Sequence, residues 1–212
     1  LGAIIGFLVT PLAKKMAKAG GVFLQAESEI AAINMVLGAS STGVRAMTSS
    51  SSPGISLKAE GISYIAGSDL PCVIINVQRG GPGLGGIQPS QADYWQATRA
   101  MGHGDFHILV FAPCSVQEMV DYTVLAFDLA DQYRNPVMLL GDGALGQMME
   151  PIEFPLKSAP TIEKPWATRG MHGRGKPNII NSLFLQPDVL EKHNIHLQGK
   201  YEKITASEVR FE

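Results

Sequence analysis

Two stretches of the sequence carry polar side chains of the kinds that bind small anionic ligands. In TSSSSPGIS, residues 48–56, hydroxyl side chains and a glycine lie where a predicted strand passes into a helix, so a ligand can approach the backbone closely. Ser51, Ser52 and Pro53 are therefore candidate binding residues, although such a run is also typical of a helix N-cap. Arg79, in VQRGGPGLGG, follows the next strand and could hold a carboxylate bidentately or pair with a surface acid.

A third stretch places a carboxylate at the head of an apolar helix face. Residues 25–39, QAESEIAAINMVLGA, have the composition of a buried helix. Glu29 shares a row with Ile33 and Val36, because positions i, i+4 and i+7 lie on one face of a helix. The spacing raises the question of why a carboxylate should lead an apolar stripe.

Two further motifs are weaker candidates for chemistry. His103 has a glycine on each side in MGHGDFH, which favours a loop histidine that faces a substrate over a core histidine. With Asp105 and His107 it makes a poor metal site, because no third ligand is evident. Asp142, in GDG, lacks the adjacent asparagine pair that accompanies this motif in magnesium sites. We therefore predict a turn residue at Asp142 and no metal site in this chain.

The elements around these residues predict an α/β fold. Strand-like runs alternate with segments of helical spacing from residue 22 to about 150, and several of the runs are apolar throughout. Such strands, separated by helices, predict a mostly parallel sheet with helices on both faces. In open parallel sheets ligands bind beyond the carboxyl ends of the strands, where the polar stretches lie. The strand-like runs are LGAIIGFLV, RAMTSS, PCVIINV, HILVFAP and PVMLLGD, and the helical ones include SLKAEGISYIAG, ADYWQATRAM and VQEMVDYTVLAFDLADQYR.

The chain divides near residue 150. Residues 1–150 form the predicted α/β domain. Residues 151–212 begin with a stretch rich in proline and glycine and continue with NIINSLFLQPDVLEKHNIHLQGKYEKIT, which has the character of one or two helices with Pro187 near a helix start. We expect this Pro-rich and helical extension to lead to another domain or to a partner.

Composition excludes several classes of protein. Of the 212 residues, 45% are hydrophobic and 17% charged, which suffices for a full core, and the net charge of −2 includes no basic block for nucleic acid or an anionic membrane. Cys72 and Cys114 lie in apolar runs and are predicted to be small buried hydrophobes. No CxxC is present, so we expect no iron–sulfur cluster or structural zinc in this chain, and a reducing cytoplasm as its location.

Taken together, the quoted stretches resemble the alpha-type subunit of the 2-oxoacid:ferredoxin oxidoreductases. The resemblance is nearest to the branched-chain members, which act on 2-oxoisovalerate (3-methyl-2-oxobutanoate). It covers nearly everything from residue 20 onward. The matching stretches are GGVFLQAESEIAAINMVLGAS, MTSSSSPGISLKAEGISYIAG, LPCVIINVQRGGPGLG, GHGDFH, YRNPVMLLGDGALGQMMEP and NIINSLFLQP.

The resemblance implies a thiamine diphosphate-binding fold of the pyrimidine-binding (Pyr) type and assigns roles within it. The family glutamate matches Glu29, which precedes Gly38 by nine residues. In the family this acid shares a proton with the pyrimidine ring of thiamine, and a dry pocket favours such sharing. That role answers why a carboxylate leads an apolar stripe. Arg79 matches the arginine that binds the substrate carboxylate, and Thr10 resembles the threonine of the family's YPITP motif.

The resemblance also implies partners and an activity that this chain lacks alone. The magnesium and diphosphate site lies on the beta subunit, so the cofactor is shared, and the iron–sulfur clusters lie on small ferredoxin-like and gamma subunits. A 2-oxoacid, coenzyme A and ferredoxin are the implied reactants. A 2-oxoglutarate or pyruvate enzyme and a noncatalytic assembly scaffold are the alternatives. The interval from Thr10 to Gly20 is shorter than usual for the family, so either the chain is divergent there or residues are absent. Family members continue with another α/β domain past Glu212, so we expect the chain to stop early.

Overall fold

A computed structural model describes most of the chain. The predicted strand LGAIIGFLV and Thr10 lie outside the described residues, as does part of the Pro-rich stretch. No helix among the described residues is long and apolar enough to cross a membrane. The described residues are 13–99, 101–154, 162–171, 173 and 175–210.

The core of the fold is a four-stranded sheet in the order β1-β2-β4-β3, in which every pairing is parallel. The central strands β2 and β4 pair along their whole length, from Cys72 opposite Pro136 to Gln78 opposite Asp142. The predicted parallel sheet is confirmed. The strands are β1 (Met47–Ser50), β2 (Cys72–Gln78), β3 (Leu109–Phe111) and β4 (Pro136–Asp142).

Helices cover both faces of the sheet, as the apolar strands require. Side chains alternate along β2, so that Ile74 packs in the cluster of α2 and α3 whereas Val73 packs in the cluster of α5. The helices are α1 (residues 13–18), α2 (Glu29–Ser41), α3 (Ser52–Gly67), α4 (Tyr94–Thr98), α5 (Val116–Tyr133) and α6 (Pro187–Glu208), with a 3₁₀ turn at Leu145–Gln147.

The predicted one or two helices of the extension are one helix, and it begins at Pro187 as predicted, because proline suits the first helical turn, whereas residues 178–185 are not helical. Two other local predictions were wrong in part. Cys72 is buried in β2, and burial raises the pKa of its thiol to about 12, whereas Cys114 is exposed in the turn that precedes α5. Ile30 and Met35 on α2 are also exposed, because their side of this helix has no neighbour in the described chain.

The extension packs against the α/β domain through ionic contacts. Lys200 on α6 donates to Asp69, in the turn after α3, with its Nζ 2.7 Å from Oδ1. Lys164 pairs with Asp131 of α5 at 2.5 Å. These buried pairs hold both described parts of the extension against the domain. Whether residues 151–212 also lead to a further domain stays a prediction.

Candidate functional site

The candidate site lies at the carboxyl ends of β1 and β2, where the N-termini of α2 and α3 converge. Ser50 is the last residue of β1 and pairs with Asn76 on β2. Glu29 is the first residue of α2, and Ser51 is the N-cap residue of α3. The topology therefore brings Glu29, the serine turn with Ser51 and the end of β1 together.

Glycine allows α2 and α3 to approach closely beside Glu29. A Cβ atom at Gly54 would lie 3.1 Å from Oε1 of Glu29 and 2.0 Å from Oγ of Ser50. Further along, a Cβ at Gly61 would lie 2.4 Å from Cγ2 of Ile33. The row that Glu29 leads is thus the contact face of α2, and the half-buried carboxylate rests against the first turn of α3.

A buried lysine lies one helical turn beyond Gly54 on the same face of α3. Lys58 is 1% exposed, and its Nζ donates to Oγ1 of Thr48 at 2.6 Å and to the carbonyl of Ser49 at 3.2 Å. Burial lowers the pKa of Lys58 to about 8, and the charge of Glu29 opposes that shift. Sequence reasoning missed this residue, although a cation in the apolar row of Ile55 and Ile62 was a readable signal.

The serines of the turn differ in their partners. Oγ of Ser51 is buried and has no hydrogen-bond partner within the described chain. Ser52 is engaged instead, because its hydroxyl donates to Asp93 and accepts from the backbone N–H of Arg79 at 3.1 Å. Pro53 is half-buried in the first turn of α3. Ser51 thus has a free buried hydroxyl for a ligand, whereas Ser52 ties α3 to the loop after β2.

Arg79 follows β2 and presents a largely unpaired guanidinium. One of its Nη atoms donates to the carbonyl of Leu84 at 3.0 Å, while Nε is buried without a partner. None of the described carboxylates lies within 4 Å of Arg79, so the alternative of a surface ion pair is not realised in this chain. The remaining N–H groups are available to an anionic ligand.

A polar network that the sequence reasoning missed secures these loops. Asn76, fully buried on β2, donates to Asp93 at 3.0 Å and accepts from the backbone N–H of Ser52 at 3.1 Å. Gln78, two residues on, accepts from the backbone N–H of Asp93 at 2.9 Å. Two polar residues on one face of an otherwise apolar strand were the available signal, since buried amides need partners.

Other predicted residues lie elsewhere. The backbone carbonyl of exposed His103 accepts from Ser63 near the C-terminus of α3, about 16 Å along the helix from Ser52. His103 is therefore not brought to Glu29, and Thr10 falls outside the described residues. Asp142, predicted as a turn residue, is the last residue of β4, and its Oδ1 accepts from the backbone N–H of Leu145 at 2.9 Å across the turn that follows. The described residues hold no cluster of metal-binding side chains.

Fold and site together match a family of cofactor enzymes. The family profile described as "Pyruvate flavodoxin/ferredoxin oxidoreductase, thiamine diP-bdg" matches residues 8–209. The chain belongs to this family. The resemblance to 2-oxoacid:ferredoxin oxidoreductase subunits, and the thiamine diphosphate-binding fold that it implies, are confirmed.

Two curated relatives are similar to most of this chain. The chain is 50% identical to "Ketoisovalerate oxidoreductase subunit VorB" of Methanothermobacter thermautotrophicus, over 98% of this chain and 61% of that protein. It is 38% identical to "2-oxoglutarate synthase subunit KorA" of Methanocaldococcus jannaschii, over 92% of this chain and 54% of that protein. The chain thus spans about three-fifths of the length of VorB and just over half of that of KorA.

A solved structure shares the fold. The 2-oxoglutarate:ferredoxin oxidoreductase from Magnetococcus marinus, with 2-oxoglutarate, coenzyme A and succinyl-CoA bound, superposes with a TM-score of 0.73 at 28% identity. The match covers 94% of this chain and 40% of that one. The likeness therefore extends over the described domain and its extension.

Proposed function

We propose that this chain supplies the pyrimidine-binding half of the thiamine diphosphate site in a 2-oxoacid:ferredoxin oxidoreductase. The complete enzyme would convert a 2-oxoacid and coenzyme A to acyl-CoA and CO₂ and pass the electrons to ferredoxin. The observation that carries this proposal is the carboxylate of Glu29 against Gly54 at the carboxyl ends of the strands.

The polar groups of the site fit this cofactor. Ser51 offers a buried hydroxyl without a partner in the described chain, and the absence of a side chain at Gly54 lets the Glu29 carboxylate lie directly against the first turn of α3. When bound, thiamine diphosphate supplies a nucleophilic carbon and delocalises the charge left by decarboxylation. Glu29 is suited to hold a proton at pyrimidine N1′, since its half-buried carboxylate lies at the strand ends beside that hydroxyl.

Arg79 is proposed to bind the carboxylate of the substrate. Its buried Nε has no partner, and together with the Nη N–H groups that Leu84 does not accept from it forms the planar set of donors that matches a carboxylate. An unsatisfied buried guanidinium nitrogen costs free energy, which a bound anion would offset. Ser52 supports this arginine by accepting from its backbone N–H, and so links the substrate and cofactor parts of the site.

The surroundings of the site favour a partner subunit over it. Large apolar side chains stand exposed in the loops that follow β2 and β4, and exposed apolar groups that cluster at one edge favour a protein interface. We propose that the beta subunit covers this edge and holds the diphosphate and magnesium, with iron–sulfur clusters on the small ferredoxin-like and gamma subunits. The exposed side chains are Leu84, Ile87, Trp95, Met149 and Phe154.

A branched-chain substrate is favoured over a dicarboxylic one. The strongest likeness reported above is to a ketoisovalerate enzyme subunit, at 50% identity. Between Arg79 and Arg99 the loop contains no other basic residue that could bind a second carboxylate. A 2-oxoglutarate enzyme is the second candidate, because KorA subunits share 38% to 48% identity with this chain.

Reconstitution tests the proposal. The full-length chain is assembled with its partner subunits, thiamine diphosphate, magnesium and coenzyme A, and reduction of a viologen dye is followed with three substrates. We expect 3-methyl-2-oxobutanoate to be used with a higher kcat/KM than 2-oxoglutarate or pyruvate. A preference for 2-oxoglutarate would establish the second candidate, and a complex inactive with every 2-oxoacid would favour the noncatalytic scaffold.

A further inference from the structure

Among the described residues beside the site, Lys58 is a buried charged group that the proposed function does not use. Its ammonium lies under the end of β1, within hydrogen-bonding distance of Thr48 and Ser49. An ammonium has three N–H donors, and only two of them find acceptors in the described chain. Burial of a charge with two neutral acceptors is costly, so its presence here requires an explanation.

The geometry connects this lysine to Glu29. Gly54 and Lys58 are four residues apart on one face of α3, about 6 Å along the axis, and the Glu29 carboxylate rests against Gly54. The groups that face Lys58 from β1 are uncharged, and Glu29 is the carboxylate that faces it from α2. None of the described carboxylates comes within 4 Å of its Nζ, so Lys58 has no direct ion pair, and the charge of Glu29 acts on it from beyond that distance.

We propose that Lys58 is a positioning residue that places a positive charge behind the Glu29 carboxylate and steers this carboxylate toward the cofactor ring. The inference rests on the proposed function. A positive charge behind the carboxylate favours the anion, which accepts a hydrogen bond from protonated pyrimidine N1′. The lysine acts through Glu29 and touches neither substrate nor cofactor.

The proposal predicts a change in pH dependence. Glu29 and the pyrimidine share one proton, and a second proton in acid breaks their hydrogen bond and weakens binding. The positive charge of Lys58 opposes uptake of that second proton. Without the charge, the acid limb of the thiamine diphosphate affinity should move upward by about one pH unit, the scale for an opposite charge near a carboxylate.

Two variants separate charge from hydrogen bonding. Lys58→Met removes both, while Lys58→Gln removes the charge and retains an amide that can donate to Thr48. The dissociation constant of thiamine diphosphate is measured against pH on the assembled complex with magnesium. We expect both variants to shift the acid limb equally. If the affinity of Lys58→Gln fell in acid at the same pH as that of the wild type, hydrogen bonds to β1 would matter and not the charge. This result would overturn the proposal.

Two controls locate the effect. Lys200→Met alters a buried lysine on α6, away from the site, and should leave the acid limb unchanged. In a Glu29→Gln complex, Lys58→Met should shift nothing further, because the carboxylate it acts on is gone. An equal shift in that background would overturn the proposal. Loss of turnover in Glu29→Gln combined with a wild-type limb in the Lys58 variants would overturn this inference alone and leave the proposed function standing.

A wild-type measurement covers the case in which the Lys58 variants do not assemble. The infrared carboxylate band of Glu29 is identified as the difference between the wild-type and Glu29→Gln complexes. As Lys58 loses its proton around pH 8, the band should shift because a neighbouring charge disappears. A band that stays constant across that pH would overturn the coupling.

Discussion

Lys58 and Lys200 are both buried in helices of the described chain, and their surroundings differ. Lys200 on α6 donates to Asp69 at 2.7 Å and to the carbonyl of Arg134 at 3.2 Å, so its charge is neutralised on the spot. Lys58 on α3 contacts two neutral oxygens, and the nearest carboxylate charge, that of Glu29, acts across a gap. Burial lowers the pKa of both lysines, and the facing carboxylate opposes the shift in each.

The difference distinguishes a structural charge from a functional one. Asp69 binds Lys200 and His196 and thereby fixes α6 to the turn after α3. We call Asp69 and Lys200 a closed pair, because each charge is already neutralised by the other and no ligand is needed. Lys58 and Glu29 form an open pair at the carboxyl ends of the strands, where the carboxylate is left able to bind something else. Incompletely paired buried charges are characteristic of functional sites, since stability alone would favour their closure or removal.

Removal of the carboxylate from the open pair has the largest expected effect. In the assembled complex, Glu29→Gln should lower kcat by roughly 10²–10⁴-fold, the scale for a positioned proton-transfer group, because an amide cannot hold the proton at the pyrimidine. Glu27→Gln is the matched control, since exposed Glu27 lies outside the apolar row. Equal kcat values for the two variants would remove Glu29 from the mechanism.

Removal of the carboxylate from the closed pair should instead cost stability. Asp69→Asn leaves the Lys200 ammonium buried without its counter-ion and should lower the free energy of unfolding by about 3 kcal/mol. Asparagine suits the left-handed backbone at this position, where φ is +55°. Denaturant unfolding of the chain measures the loss, and Asp188→Asn, which alters an exposed pair at 3.9 Å, should change it by less than about 1 kcal/mol.

The stability lost in Asp69→Asn should depend on pH in a defined direction. Burial opposes ionisation of Asp69, but Lys200 and His196 lower its pKa below the ordinary 3.8. The pair therefore stabilises the fold fully above that pH and progressively less as the pH falls below it. The difference in stability between the wild type and Asp69→Asn should shrink in acid. A constant difference would contradict the ion pair.

Arg79 tests whether the open site also binds the substrate. Arg79→Ala should raise KM for the 2-oxoacid about 10–100-fold, as expected for loss of a charged hydrogen bond to its carboxylate. Initial rates of dye reduction measure KM, and Arg99→Ala serves as the control because Arg99 is exposed beyond α4. An unchanged KM would make Arg79 a structural residue of the loop.

The smallest expected effect concerns the close contact between Gly54 and the Glu29 carboxylate. In Gly54→Ala the new methyl group would meet Oγ of Ser50 and crowd the Glu29 carboxylate at 3.1 Å, which should weaken thiamine diphosphate binding about tenfold. Calorimetric titration measures the affinity. Gly199→Ala, in a helix with nothing within 4 Å, should leave affinity unchanged and raise stability by about 0.5–1 kcal/mol.

The strands and helices of this molecule were largely predictable from the sequence, because they follow from local patterns of apolar residues. Apolar runs such as CVIINV specify buried parallel strands, and the row led by Glu29 is the face that α2 packs against α3. The closed pair was not predictable, since Asp69 and Lys200 are far apart in sequence and meet only through tertiary packing. The exposure of Ile30 likewise depends on what packs against α2.

The open pair of Lys58 and Glu29 was partly predictable from the sequence. Lys58 interrupts the apolar row of Ile55 and Ile62 just as Glu29 leads the row of α2, and both signals are visible in the sequence. Reading each helix alone identified only the carboxylate. Only the packing of α2 against α3 shows that Lys58 is the counter-charge of Glu29. For His103 the local sequence misled, because its flanking glycines predict a loop but not the position of that loop in the fold.

The most direct test is a structure of the assembled complex with thiamine diphosphate bound. The account predicts that the Glu29 carboxylate lies within hydrogen-bonding distance of pyrimidine N1′, with the Lys58 ammonium behind it and the diphosphate held by the neighbouring subunit. A pyrimidine ring that pairs with another acid, while Glu29 faces bulk water, would contradict the account.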